Sequence, residues 1–508
     1  MNSVRHEAAV VLDPTCQVAD VNRRLFGSFV EHMGRCVYDG IYEPGHPAAD
    51  ERGLRTDVLE LVRELGVSVV RYPGGNFVSS YRWEDGIGPA GNRPRRLNLA
   101  WRCLETNEFG LGEFMSWAAS AGVEPMMTVN LGTRGVQEAC DMLEYCNHPG
   151  GTHLSDLRRK HGAEQPYGIR LWCLGNEMDG PWQVGQKTPR EYGRIAAETA
   201  KAMRIIDPSV ELIAAGSSNS DMPTFGEWEA TLLEHAYDQV DYVSLHHYFD
   251  PEATDLPGFL ASGVVMDRFI SEVVSTCDHI GAKLRNRKRI ELSFDEWNVW
   301  RQRRFTEPGD RDWIESPALI EDDYDVADAV VVGDLLLTLL RHADRVAIAN
   351  QAQLVNVIAP IRTLADGPAW RQTIFHPFAL TSRLARGVVL RTEVRGPVYD
   401  AGRHGEAPVV AAVATHDASN GQTVLFAVNR SQRPLNLRID LRALNGAELV
   451  DHTVIADEDP SAINTADQPD RVRPRTINQS PVDGGCCDVR LPAVSWNALR
   501  FATGDEGD

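Results

Sequence analysis

The sequence contains no apolar run approaching the roughly 20 residues that a membrane-spanning helix requires. Its opening stretch, MNSVRHEAAVVLDPT, lacks the apolar core and small-residue cleavage site of a secretory signal, so the expected location is the cytoplasm, with no membrane partner. Basic charge is scarce: 51 Lys and Arg stand against 72 Asp and Glu, a formal net charge of -21. A chain with that balance has no electrostatic reason to bind a phosphate backbone, which excludes nucleic acid as an expected partner. The charge serves solubility first and is compatible with a neutral substrate such as a sugar. The 9 cysteines are odd in number, irregularly spaced and free of any CxxC pair. That argues against a zinc ribbon or a thioredoxin-like centre, and reduced thiols are the simplest account. Cys486 and Cys487 read as part of a polar loop. No HExxH is present, and the PGG at 73–75 lacks the flanking pattern of a phosphate loop.

What is present is length and alternation. The 508 residues, 43% of them hydrophobic, suit a large barrel plus a smaller module. Eight short, nearly continuous apolar runs are strand candidates: 25–32, 68–75, 124–132, 169–177, 210–218, 241–249, 289–297 and 345–354. Strands buried on both faces have this character, and eight is the number a (β/α)₈ barrel requires. Helical patterns lie between them. In 54–66 the apolar positions Leu54, Val58, Leu61, Val62 and Leu65 follow a 3.6-residue period. The segment 188–208 opens on Thr188 as N-cap and Pro189 at the first helical position. The strongly apolar 325–344 is expected to pack on the barrel wall.

After about Gly387 the helical patterns stop. Strand-like runs recur at 388–396, 407–417, 422–431, 435–442, 447–456 and 494–502, the spacing of an antiparallel sandwich. The expected division is a catalytic barrel over 19–386 and a β-sandwich over 387–508, of jelly-roll type. The N-terminal segment 1–18, with a strand at 6–14, is expected to join the sandwich. The polar, proline-bearing 457–485 reads as a surface loop.

Active sites of such barrels lie where the strands end. Glu31 and His32 end the first run, and Arg71 and Asn76 flank the turn after the second. Asn176 and Glu177 end the fourth, His246, His247 and Tyr248 the sixth, Glu296 the seventh and Gln353 the eighth. A carboxylate at the end of a buried strand is costly unless it is paired or used. Two of them suggest glycoside cleavage, in which one carboxyl donates a proton to the leaving oxygen while the other stays ionised. Each residue also has a plainer reading. A glutamate after a strand can be a helix-cap or salt-bridge partner, Arg71 can be a structural partner of Glu31, and Trp101 and Trp300 can be packing rather than sugar-stacking faces. His246 and His247 are adjacent on a strand and point to opposite faces, which argues against a metal pair.

The segments FGSFVEHMGRCVYDGIYEP, VVRYPGGNFVSSYRWEDGIGP, WCLGNEMDGPWQVG, SLHHYF, FDEWNVW and NQAQLVNVIAPI together resemble the intracellular α-L-arabinofuranosidases of glycoside hydrolase family 51, within the clan of retaining (β/α)₈ glycosidases. The resemblance runs through the whole barrel. It implies an exo-acting, retaining enzyme that removes terminal α-L-arabinofuranosyl units from arabinan- or arabinoxylan-derived oligosaccharides. It implies Glu177 as acid/base, Glu296 as nucleophile, and Asn176 as a holder of the sugar 2-hydroxyl. It implies that Glu31, Arg71, Asn76, His246, Tyr248 and Gln353 line a pocket for one furanose. No cofactor and no metal are implied, and the assembly implied is a homo-oligomer, hexamers included. The insertion 152–168 is a candidate modifier of the pocket rim. Rival expectations are β-xylosidase or endo-glucanase specificity on the same site, or a sugar-binding protein without activity. Retention of both Glu177 and Glu296 argues against the last.

Overall fold

The computed structural model describes residues 7–305, 313–477 and 481–503. Eight parallel strands close into a barrel in chain order: β1 (Gly27–Phe29), β2 (Val69–Tyr72), β3 (Glu124–Val129), β4 (Leu171–Leu174), β5 (Glu211–Ala214), β6 (Tyr242–Phe249), β7 (Glu291–Val299) and β8 (Val346–Gln351). Seven lie inside an expected run, and β7 runs two residues past the end of its run at 297. Inward-facing Val69, Met126, Leu171, Ile213 and Ile348 fill the barrel's lower interior and shut it to solvent. The upper end is left to polar side chains.

The helices form where capping and period agree. Pro189–Ile206 begins at Thr188, whose hydroxyl accepts from the Glu191 amide while the Glu191 carboxylate accepts from the Thr188 amide. Two orphan donors of the helix start are thereby satisfied. Thr56–Leu65 ends at Gly66, whose φ of 76° is the left-handed conformation a side chain would resist. The segment 152–168 carries a capped helix, His153–Lys160, anchored by buried Arg158 on the carbonyls of Tyr145 and His148. No helix among the described residues is long and apolar enough to cross a membrane.

Beyond the barrel lie two facing sheets. One has the strand order 17–20, 388–390, 410–417, 422–429, 495–503, 447–455, 475–477; the other runs 394–395, 7–11, 435–440, 486–491. The run expected at 388–396 is split, and its halves serve different sheets. The early strand Glu7–Val11 does join the sandwich, but it pairs in parallel with Leu435–Asp440, a departure from a wholly antiparallel arrangement. Cys486 and Cys487 are not in a loop. They begin the strand Cys486–Leu491, in which Cys487, Val489 and Leu491 alternate inward between exposed Asp488 and Arg490. The polar average of that stretch hid its period of two. The expected loop at 457–485 contains the short strand Arg475–Ile477, and residues 478–480 of it lie outside the described residues.

The helix Val326–Arg341 is buried over nearly its whole circumference. It meets the barrel on one side and the seven-stranded sheet on the other, with Gly333 so close that a Cβ there would stand 2.2 Å from the Trp496 ring. Burial on both sides also encloses Asp334, which is 1% exposed and held bidentately by Arg430 of the sandwich at 2.7 and 3.0 Å. Removing one partner of such a pair leaves the other charge buried and unpaired, at about 3–5 kcal/mol. Arg430→Ala is therefore expected to lose that much unfolding free energy in denaturant titrations. The double variant Arg430→Met, Asp334→Leu should regain most of it, and a single-variant loss under about 1 kcal/mol would contradict this account.

Candidate active site

The polar ends of the strands converge at the barrel's upper mouth. Glu31, just past β1, is 2% exposed. One carboxylate oxygen accepts from the Phe77 amide at 2.9 Å and from the Trp101 indole at 2.8 Å; the other accepts from Gln353 at 3.0 Å. Burial pushes this carboxyl up to about 8, against the pull of the Phe77 amide and the Trp101 indole. The PGG turn explains how it fits: a Cβ on Gly74 would lie 2.4 Å from Glu31 Cγ, and one on Gly75 2.5 Å from its Oε2. Gly74 also sits at φ 126°, a conformation that side chains resist.

Arg71 from β2 does not pair with Glu31. It donates to Glu296 Oε1 at 2.7 Å and to Asn176 Oδ1 at 2.6 Å. The amide of Asn176 donates in turn to Asn76 at 3.1 Å. Tyr248, on β6, donates to Glu296 Oε2 at 2.8 Å. Burial, with the nearby charges of Glu296 and Glu177, drives the Tyr248 phenol well above its ordinary range, so it stays a donor. Both oxygens of Glu296 thus accept hydrogen bonds that orient the carboxylate, while Asn176 is locked between Arg71 and Asn76.

Glu177 follows the Leu174 end of β4 in a tight turn, with φ of 44°. A non-glycine residue in that region costs on the order of 1–3 kcal/mol and is over-determined by its surroundings. Here the surroundings are two bonds: His246 Nδ1 lies 3.0 Å from Glu177 Oε1, and the Trp182 indole donates to Oε2 at 2.7 Å. Burial raises the Glu177 carboxyl; the His246 hydrogen bond opposes this and the charge of Glu296 adds to it. Glu177 and Glu296 present oxygens within 4.8 Å of one another. That is the range in which one carboxylate attacks directly; a wider gap would admit a water.

Glu177, His246 and Glu296 could be taken for a metal cluster on distance alone. Burial would lower His246, but Glu296, Asp295 and Glu177 outweigh it and push it up to about 10.

Of the residues singled out in the sequence, ten converge on this mouth in three hydrogen-bonded groups: Glu31 with Trp101 and Gln353; Arg71 with Glu296, Asn176, Asn76 and Tyr248; and Glu177 with His246. Trp300 reaches it by packing, its ring edge-on to Tyr248 at 5.2 Å. His32 does not line the mouth; it is buried between Glu105 and the Tyr72 hydroxyl, each at 2.8 Å. His247 faces away from His246, against Phe249 and Phe269. Three participants were not singled out: Trp182 on Glu177, Gln183 on Asn76, and Asp295 on His246. The first two stand in the WCLGNEMDGPWQVG segment, and Asp295 directly precedes Glu296. On a regular strand Asp295 and Glu296 would face opposite ways. A bulge in β7 prevents it: Ser293 pairs with Ser244 and Glu296 with His246, so two β7 residues oppose Leu245 alone. Bulges re-aim side chains in this manner beside active sites.

The glycine cradle yields a direct test. Gly74→Ala or Gly75→Ala should cost about 1–3 kcal/mol and push the Glu31 carboxylate out of its three-donor site. A crystal structure of either variant with Glu31 unmoved would refute the packing argument.

Comparison with known proteins agrees with this geometry. Residues 61–257 match the α-L-arabinofuranosidase 1 domain, and residues 295–495 match the α-L-arabinofuranosidase C-terminal domain. The chain is 58% identical over 499 residues to an intracellular exo-α-(1→5)-L-arabinofuranosidase of Streptomyces lividans, covering 97% of this chain and 75% of that one. It is 52% identical over 507 residues to an exo-α-(1→6)-L-arabinofuranosidase of Bifidobacterium longum, covering 97% of each. A family 51 α-L-arabinofuranosidase structure from Bifidobacterium longum superposes with a TM-score of 0.94 at 48% identity, covering 97% of this chain and 99% of that one. An arabinose complex of the Thermotoga maritima α-L-arabinofuranosidase follows with a TM-score of 0.86 at 33% identity, covering 97% and 99%. With the barrel, the paired carboxylates and these relatives in agreement, the chain belongs to the family 51 α-L-arabinofuranosidases of the glycoside hydrolases.

Proposed function

We propose that this protein is an intracellular exo-α-L-arabinofuranosidase in which Glu296 attacks the anomeric carbon and Glu177 serves as acid and then base. The observation that carries the reading is the pair of buried carboxyls within 4.8 Å, one raised and one held by Arg71 and Tyr248. In the first step Glu296 forms an ester to the sugar, the glycosidic bond breaks, and the proton of Glu177 passes to the leaving oxygen. The ester carries no charge. One cause of the raised Glu177 carboxyl is then gone, and Glu177, now ionised, is suited to take a proton from water. The sign follows for pH. Activity falls on the alkaline side as Glu177 loses its proton, and its raised carboxyl moves that limb above where a free glutamate would put it.

Asn176, Asn76, Glu31 and Gln353 converge beside the reacting pair and are suited to the sugar hydroxyls, with Trp101 and Trp300 at the rim. The intracellular location rests on the names of the relatives from Streptomyces lividans, Halalkalibacterium halodurans and Bacillus subtilis. Those relatives are named for the 1→5 linkage, whereas the Bifidobacterium longum relative at 52% identity is named for 1→6, so hydrolysis rates on both linkages define this chain's preference. A homo-oligomer is proposed on the family resemblance and is tested by sedimentation.

The roles of the two carboxyls separate experimentally. Glu296→Ala should abolish turnover of every substrate, aryl glycosides included, because the covalent intermediate cannot form. Glu177→Ala should lose about 10²–10⁴-fold on oligosaccharides. On an aryl arabinofuranoside it should show a burst, with azide restoring turnover and giving an azido sugar of retained configuration. Azide rescue that gave inverted product with Glu177→Ala and retained product with Glu296→Ala would reverse the assignments. An aryl-glycoside screen in which β-D-xyloside or β-D-glucoside outpaced α-L-arabinofuranoside would overturn the substrate class.

A further inference from the structure

We propose that Asp295 is a positioning residue that pins His246 as a doubly protonated imidazolium, one fixed cation shared by the two reacting carboxyls. The proposal rests on the roles assigned above to Glu177 and Glu296. The geometry begins with Asp295, which is 0% exposed and aimed inward only because of the β7 bulge. Its Oδ1 lies 3.0 Å from His246 Nε2. The opposite ring nitrogen, Nδ1, lies 3.0 Å from Glu177 Oε1 and 3.6 Å from Glu296 Oε2. Nε2 therefore faces the Asp295 carboxyl, while Nδ1 faces both Glu177 and the attacking carboxylate of Glu296, and a ring that donates on both sides carries protons on both nitrogens. The other groups around the ring are consistent with that state. Arg71 stands 3.9 Å from Asp295 Oδ2, Cys173 contacts the same oxygen from β4, and burial raises the carboxyl of Asp179 against the pull of His246. Burial of the cation is offset by Glu296, by Asp295 and by the hydrogen bond to Glu177, which accords with a ring held up to about 10.

The charge accounting shows what the arrangement does. In the free enzyme the negative charge of the reacting pair sits on Glu296, while Glu177 holds a proton. In the glycosyl-enzyme Glu296 is an ester and the charge sits on Glu177, its proton having left with the departing oxygen. The net charge of the buried site is the same before and after. His246 Nδ1 is within reach of both positions, so the cation need not move as the charge does. A neutral ring would supply no positive charge to either state. Asp295 touches neither carboxyl and has no path to the substrate; its action runs through His246.

Neutron diffraction of the perdeuterated wild-type enzyme reads the claim without reference to activity. Deuterium is expected on both His246 nitrogens at neutral pH, and a bare nitrogen overturns the proposal. Asp295→Asn should leave KM for an aryl arabinofuranoside within about twofold. The alkaline limb of its kcat/KM profile should fall at least about one pH unit earlier, because His246 then loses its proton in the assay range. A uniform loss of rate with an unmoved limb would mean that Asp295 is only structural, and would overturn the proposal. If Asp295→Asn does not fold, the wild-type neutron map decides. In a His246→Gln background Asp295→Asn should cost no further rate; an additive loss counts against action through His246. Failure of the carboxyl roles is seen separately, in the azide products, and leaves the neutron result standing.

Discussion

The structure depends on holding two carboxyl groups close together out of water. Either one alone would be costly to bury, and together they repel. The barrel answers with cations and donors brought from separate strands: Arg71 from β2, His246 and Tyr248 from β6. No local segment could supply that set, because β2 and β6 lie far apart in the chain. The eight-stranded closure is what makes the distances short and repeatable. The lower barrel, packed with Val69, Met126, Leu171, Ile213 and Ile348, acts as the floor against which the polar layer is set.

A second shell of constraints serves the first. Glycines at 74 and 75 exist so that Glu31 can lie against bare backbone. Asn176 is fixed from both sides, and Glu177 is kept in an unfavourable backbone region by His246 and Trp182. The site is stiff where charge must be placed. The rim is looser: Trp182 is 46% exposed even while it holds Glu177. Tight placement of the reacting carboxyls thus coexists with a solvent-facing entrance.

Much of this was legible in the amino-acid sequence, for physical reasons. Parallel strands buried on both faces leave long apolar runs, and the polar residue that ends such a run stands out. Glu31, Arg71, Glu177, Tyr248, Glu296 and Gln353 were all found at such ends, and the structure brings them to one mouth. Asp295 was not, because a bulge breaks the alternation by which faces are assigned, and a bulge leaves no mark in composition. Trp182 and Gln183 sit in a loop, where no periodicity exists to read. The strand Cys486–Leu491 was lost because its outward residues are charged and its three inward residues include a cysteine. The split of 388–396 between sheets likewise follows from tertiary packing, not from local preference.

The strand Glu7–Val11 lies inside its sheet, between Val394–Arg395 and Leu435–Asp440. On the ribosome that strand emerges ahead of the whole barrel, and its principal partner is among the late segments to appear. Its backbone donors and acceptors stay without their native mates throughout that interval, and an unpaired strand invites association with other chains. The barrel can close as it is made, but the sandwich cannot. Its completion is an event of the finished polypeptide, and the order of synthesis and the order of assembly run opposite ways at the two ends of the described fold.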